Sequence, residues 1–178
     1  IPAFKLPAPW SVERGDIIVF MFPGYRDEVE ANPFAYYLKR CMALSGDTLQ
    51  VINRIVYVNG KPAPVPKNVK YNYSNIKPSG YTESKIFPKG APFNEDNYGP
   101  IVIPKKGDII NLTPDNYFQW NTFIKREGHS IEMRDGRISI DKQVKTSYMV
   151  ERDYAFGMGD NRDNSLDSRF WGFISVNS

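Results

Sequence analysis

The longest unbroken apolar run in this chain is six residues, Ile17 to Phe22, and it is stopped at once by Pro23 and Gly24. A chain punctuated this often has no room for the ~20-residue apolar helix that crosses a membrane. It is left with short extended segments joined by turns. Eleven Tyr, eleven Phe and fourteen Pro, with Val and Ile in short runs between Gly, Asn and Asp, point the same way. The expected class is all-β, with at most one short helix. At 178 residues the chain is long enough to bury a core, as one domain or one domain with a substantial insertion.

The formal charge of +3 comes from interspersed Lys, Arg, Asp and Glu. No basic run tracks phosphates, so nucleic acid is not an expected partner. A single cysteine, Cys41, excludes an internal disulfide and a CxxC zinc site. Nothing at the N-terminus reads as a secretory signal. The chain is expected to be soluble as given and, starting at Ile1 without methionine, to be a fragment of a longer protein.

Residues 1 to 12 are apolar and aromatic but broken by Pro2, Pro7 and Pro9. They are expected to be extended, either as an edge strand on their own core or with Phe4 and Trp10 at a membrane interface. Arg14, Gly15 and Asp16 form a turn, and Ile17 to Phe22 follow as a fully buried strand. Tyr36 to Leu44 is a second strand. Two hairpins follow the alternation rule, one turning at Asn53 and Arg54, the other at Asp135 and Gly136. Between them, from about Pro62 to Gly128, the composition is insertion-like. One strand is expected at Gly107 to Leu112, and a helix at Asp115 to Arg126 with Thr113 or Asp115 as cap and Gly128 as stop. A polar loop from Gly159 to Arg169 then leads into an aromatic strand.

That loop holds most of the chemistry-bearing side chains. Its sequence GDNRDNSLDSR offers oxygen donors, but Arg162 stands where a calcium loop needs its third-place donor and Ser165 where it needs glycine. No metal is expected. His129 is the only histidine and no Gly-x-Ser-x-Gly elbow exists; it reads as an ordinary surface residue, outside any Ser-His-Asp triad. Asp167 and Arg169 read as an ion pair holding the loop. Lysine remains as a candidate base, because a Lys shielded from water loses its preference for the charged form. Moving a lysine from ~10.4 to ~8 takes roughly 3 kcal/mol of differential interaction. In YYLKRCMAL, alternation sends Lys39 to one face with Tyr37 and Cys41, and Leu38, Arg40, Met42 and Leu44 to the other. Those neighbours allow a half-buried base, and they equally allow a snorkelling surface lysine.

The run FGMGDNRDNSLDSRFWGF, Phe156 to Phe173, closely resembles the C-terminal signature of type I signal peptidases. RGDIIVFMFPG and YYLKRCMALSGDTLQV resemble two further motifs of that family, in the same order. The resemblance covers about half the chain. It implies a fold of coiled antiparallel sheets, with a catalytic core of residues 1–61 and 149–178 and an inserted β-rich cap over 62–148. It implies a membrane-bound serine endopeptidase that needs no cofactor and removes signal peptides from exported preproteins after Ala-x-Ala sites. Its place would be the outer face of the bacterial inner membrane. Lys39 would be the general base and Ser165 would orient its ammonium. Asp167 and Arg169 would support the lysine strand by a salt bridge, while Asp160, Asn161 and Arg162 shape the loop. Asp16, Val19, Phe20 and Leu38 would receive the substrate as an added strand.

Departures accompany the matches. The family's nucleophile is a serine followed by methionine, and no Ser-Met pair occurs in these residues. Ser11, next to Trp10, does not match that motif, so the nucleophile and membrane anchor are expected upstream of Ile1. Ser45 and Ala43 stand where the family usually has proline and often has glycine. Two rival readings are an intracellular self-cleaving regulator with the same dyad, and a noncatalytic homologue that binds exported peptides or a secretion partner.

Overall fold

The computed structural model describes residues 11–30 and 34–176. The expectations for Phe4, Trp10 and their proline-broken surroundings fall outside the described residues.

Short apolar runs become strands because the residues between them take turn conformations. Asn53 and Arg54 have φ of 48° and 74°, and Asp135 and Gly136 have 49° and 73°. Positive φ at both central positions is the turn whose twist matches that of the flanking strands. The hairpins they close are β3 (Thr48–Ile52) with β4 (Ile55–Val58), and β8 (Ile131–Arg134) with β9 (Arg137–Ile140). Asn59 and Gly60 turn β4 into β5 (Lys61–Pro62), and Asp141 and Lys142 turn β9 into β10 (Gln143–Val144).

Two four-stranded antiparallel sheets dominate. One runs β5–β4–β3–β6, with β6 at Tyr98–Val102. The other is built from β1 (Ile17–Met21), β2 (Tyr36–Leu44), β12 (Tyr154–Met158) and β13 (Ile174–Ser175), in that order. A smaller pair joins β7 (Ile109–Asn111) to β11 (Ser147–Met149). Helix α1 (Tyr117–Arg126) and the helical turn α2 (Ser168–Trp171) complete the described elements. The mainly-β class is therefore as expected. One buried cluster runs through the molecule, joining Leu49 and Val51 of β3, Tyr98 of β6, Phe123 and Ile124 of α1, and Tyr154 and Phe156 of β12.

Several local expectations need correction. Ile17, Val19 and Met21 are 55%, 64% and 45% exposed, so β1 is not a fully buried strand. Its apolar run resembles a strand covered on both faces, but β1 lies at the end of its sheet and only the Ile18 and Phe20 face packs inward. Helix α1 begins two residues later than expected, after Asn116, whose side chain makes no cap bond. Its Oδ1 accepts from the Thr113 N–H and its Nδ2 donates to the Asn111 carbonyl. The strand expected at Gly107 to Leu112 is only Ile109–Asn111. The aromatic segment after the polar loop starts as α2, because the Asp167 carboxylate accepts from the Arg169 N–H and caps a helical turn. Strand β6 was not expected at all: Gly99 and Pro100 inside it read as loop residues.

Candidate active site

Strand β2 brings Lys39 to the site. The antiparallel register sets Ile18 opposite Lys39, Val19 opposite Leu38 and Phe20 opposite Tyr37. Because strand side chains alternate, Lys39 shares a face with Tyr37, Ile18 and Phe20. Its Nζ lies 5.6 Å from the centre of the Tyr37 ring and 5.9 Å from that of Trp171. Phe20, Phe22 and Tyr37 in turn pack on Trp171 at centroid distances of 6.2, 5.3 and 5.5 Å. Among the described residues Lys39 forms no ion pair; its polar partner is the Ser165 hydroxyl, with Nζ to Oγ at 3.0 Å. Burial pushes the Lys39 ammonium below the ordinary lysine value, the Asp167 charge opposes that shift and the Arg169 charge adds to it.

Ser165 reaches Lys39 from the loop that follows β12, through two glycines. A Cβ on Gly157 would lie 3.0 Å from Lys39 Cβ and 2.9 Å from Ile174 Cδ1. One on Gly159 would stand 2.1 Å from Ser165 Oγ, inside any permitted contact, and 3.5 Å from Lys39 Nζ. The contact between Lys39 and Ser165 therefore exists only where the chain has no side chain.

The loop is anchored by Asp167 and Arg169, both fully buried. Arg169 Nε and Nη2 donate to the two Asp167 oxygens at 2.9 and 2.8 Å, a forked pair. Asp167 also accepts from the Gly159 N–H at 3.0 Å, which closes the loop on itself. Arg169 donates further to the carbonyls of Arg162 at 2.6 Å and Glu95 at 3.1 Å. Burial alone would raise the Asp167 carboxyl, but Arg169 and two backbone N–H groups hold it below the usual carboxylate range. On the opposite side of β2, Arg40 makes a forked pair with Asp160 at 2.9 and 2.6 Å. Arg162 is buried beside the sulfurs of Met158 and Met42, and its guanidinium is pushed down by burial and by Arg169. Its N–H donates to the Lys70 carbonyl, while Asn161 forms a parallel bridge with Lys70. Asp163 accepts from the N–H groups of Asn72 and Tyr73 at 2.7 and 2.8 Å.

The structure thus gathers Lys39, Ser165, Asp160, Asn161, Arg162, Asp167 and Arg169 at one loop. The four residues expected to receive substrate are divided. Phe20 lies on the lysine face against Trp171. Val19 and Leu38 form a cross-strand pair on the other, exposed face. Asp16 sits at the start of β1, its carboxylate accepting from the Glu13 N–H and its carbonyl from the Cys41 N–H. The only strand paired with β1 among the described residues is β2, so its other edge is open there.

Sequence reasoning missed Arg40 as the partner of Asp160, and the space requirement at Gly159. It also missed Arg126, which donates to four backbone carbonyls across the site's outer wall. The density of Asp and Arg in the loop signalled that partners were needed, without naming those outside it. His129 is more than an isolated surface residue: its ring nitrogens lie 2.6 Å from Asp141 and 2.8 Å from Glu151, away from the dyad. Among the described residues no cluster of His, Cys, Asp and Glu is arranged to hold a metal.

The sequence profile of the family described as "Signal peptidase, peptidase S26" matches residues 7–178. A protein named Signal peptidase I from Aquifex aeolicus is 31% identical, the alignment covering 90% of this chain and 57% of that protein. Signal peptidase I of Buchnera aphidicola subsp. Baizongia pistaciae is 29% identical over 91% of this chain and 51% of that protein. A more distant likeness, 32% over 47% of this chain, is to thylakoidal processing peptidase 1 of Arabidopsis thaliana. The chain spans about half the length of the curated relatives it matches across most of its own residues. With a profile match over almost its whole length, this chain belongs to the signal peptidase family, peptidase S26.

Proposed function

We propose that this chain is the catalytic domain of a serine endopeptidase that removes signal peptides from exported preproteins, with Lys39 as its general base. One observation carries the reading: a half-buried lysine amine, paired with no carboxylate among the described residues, lies 3.0 Å from a serine hydroxyl in an aromatic pocket. An amine held this way stays neutral at a pH where one in water is already charged, so it is free to accept a proton. The attacking hydroxyl, in this reading, belongs to a serine outside the described residues. Lys39 Nζ takes its proton as Oγ bonds to the scissile carbonyl carbon, then returns it to the leaving amine as the peptide bond breaks. Water hydrolyses the acyl-enzyme by the same proton path. Ser165 orients the amine, and Asp167, Arg169, Asp160, Asn161 and Arg162 hold the loop that carries Ser165.

The substrate is read as an extended strand along the edge of β1 that no described strand covers, beside Asp16 to Phe20, with Val19 and Leu38 offering apolar surface and small pockets selecting Ala-x-Ala. Residues 62–148 are read as a cap on a core of 1–61 and 149–178. In this reading the site works at the outer face of the bacterial plasma membrane. No helix among the described residues is long and apolar enough to cross a membrane.

The test is release of mature product from a preprotein with an Ala-x-Ala site by the complete gene product. Release that disappears when the two alanines are replaced by phenylalanine supports the reading. A complete product that binds the preprotein without cutting it supports a noncatalytic peptide binder instead.

A further inference from the structure

The walls of the lysine pocket are held from outside by one residue on a distant element. Arg126, in the last turn of α1, forms no ion pair among the described residues and spends its guanidinium on backbone carbonyls. Nη1 donates to the Trp171 carbonyl at 2.8 Å, Nε to Glu28 at 3.0 Å, and Nη2 to Tyr25 at 2.7 Å and Gly24 at 3.3 Å. Three pieces of chain converge on one planar group: α1, the loop leaving β1, and the end of α2. Two of these carry the pocket. Trp171 contributes the indole near Lys39 Nζ, and the loop continues from Phe22, whose ring packs on both Trp171 and Tyr37.

A guanidinium suits this position for a geometric reason. Its donors are fixed in one plane and point several ways, so carbonyls from different segments are held at set separations. An ammonium could satisfy some of the same oxygens but could not set the spacing between them. Burial pushes the Arg126 guanidinium below its ordinary range, with Glu28, Tyr154 and Asp27 opposing. The desolvated charge strengthens its hold on the carbonyls.

We propose that Arg126 is a positioning residue for Lys39: by fixing the Trp171 carbonyl against the loop after β1, it keeps the aromatic wall closed and water away from the amine. This rests on Lys39 acting as the base, and it assigns to α1 a part in making that base. The charged groups that act on Lys39, Asp167 and Arg169, lie at the start of α2, the helical turn whose last carbonyl Arg126 holds; Arg126 bonds to neither side chain.

The experiment reads Lys39 directly and needs no cleavage. The Lys39 amine is titrated by NMR in this chain, in Arg126→Met, in Arg126→Lys and in Arg26→Met. Arg26 serves as the control because it ties the same loop to the carbonyls of Ser84 and Ile86 without touching Trp171. An upward shift of the Lys39 midpoint in both Arg126 variants, with Arg26→Met unchanged, supports the proposal. An unchanged Lys39 midpoint in a folded Arg126 variant overturns it, whatever happens to the melting temperature. Recovery of the parental midpoint by Arg126→Lys shows that charge alone suffices and overturns the positioning role. Unfolding of both Arg126 variants, judged by loss of dispersed amide signals, reduces Arg126 to a structural anchor and also overturns it. Because Lys39→Ala cleavage is a separate measurement, failure of this proposal is distinguishable from failure of the peptidase reading.

Discussion

A side chain at Gly159 and the hydroxyl of Ser165 cannot occupy the molecule together: a Cβ there would lie 2.1 Å from Ser165 Oγ and 2.6 Å from its Cβ. The loop backbone cannot retreat easily, because the Gly159 N–H is bonded to buried Asp167. Gly159→Ala is expected to cost about 1–3 kcal/mol, typical of overpacking a filled interior. It should also push Ser165 off Lys39 and lower cleavage about a hundredfold. Thermal unfolding together with kcat on a preprotein substrate checks both.

Removing Arg169 leaves the Asp167 carboxylate buried without its partner. Arg169→Met is expected to destabilise by about 3–5 kcal/mol. The pair also sets a pH dependence. Since the folded state holds the Asp167 carboxyl below its usual value, the stability it contributes is present above that value and is lost as pH falls through the folded one. Asp167→Asn, compared with the parent by urea unfolding from pH 7 downward, should flatten the acid side of the stability curve.

Lys39 works in the opposite direction. Burial lowers its pKa, so between the folded value and the unperturbed 10.5 the unfolded chain binds more protons and stability rises with pH. Below that window the folded protein carries the cost of a desolvated ammonium. Lys39→Met should therefore raise the melting temperature at pH 7 while abolishing cleavage, and the gain should shrink as pH approaches 10.5. An unchanged or lower melting temperature would show that the amine is well solvated.

His129, between Asp141 and Glu151, has its pKa raised by hydrogen bonds to both carboxylates. Its stabilisation is present below the ordinary histidine value and is lost as pH rises through the raised folded one. The pairs are largely exposed and screened, so His129→Gln should lower stability slightly at pH 6 and have no effect at pH 9. Cleavage should be unaffected, because the dyad is elsewhere.

The hairpins were legible because local turn chemistry decides them. Asp135-Gly136 takes positive φ by its own chemistry, while Arg54, at φ 74°, is also held by bonds to Asp96, Tyr73 and Asn75. Strand β2 and its alternation were legible too, which is why Lys39 and Arg40 could be sent to opposite faces. Features that depend on distant partners were not. Ile17, Val19 and Met21 read as buried, but the sheet face they share with Tyr36 and Leu38 of β2 is exposed, and no local pattern records which face of a sheet is covered. The helical turn at Ser168–Trp171 hid behind β-favouring aromatics because its start depends on a single Asp167 cap. The loop's acid and base content announced ion pairs, and Asp167 with Arg169 were close enough in sequence to be matched. Asp160 found Arg40 across 120 positions, and Arg126 found its carbonyls 45 to 102 positions away. Strand pairing and helix docking create such contacts, and sequence spacing carries no trace of them.

The central claim is that Lys39 is a base made by its surroundings, and the pH dependence of kcat/KM tests it most directly. It is measured on the complete gene product with an Ala-x-Ala preprotein, in the parent and in Lys39→Ala. The account predicts an acid limb whose midpoint lies below the unperturbed lysine value of 10.5, and a Lys39→Ala protein that folds but does not cut. A Lys39→Ala protein that cuts at the parental rate, with the same limb, would contradict it.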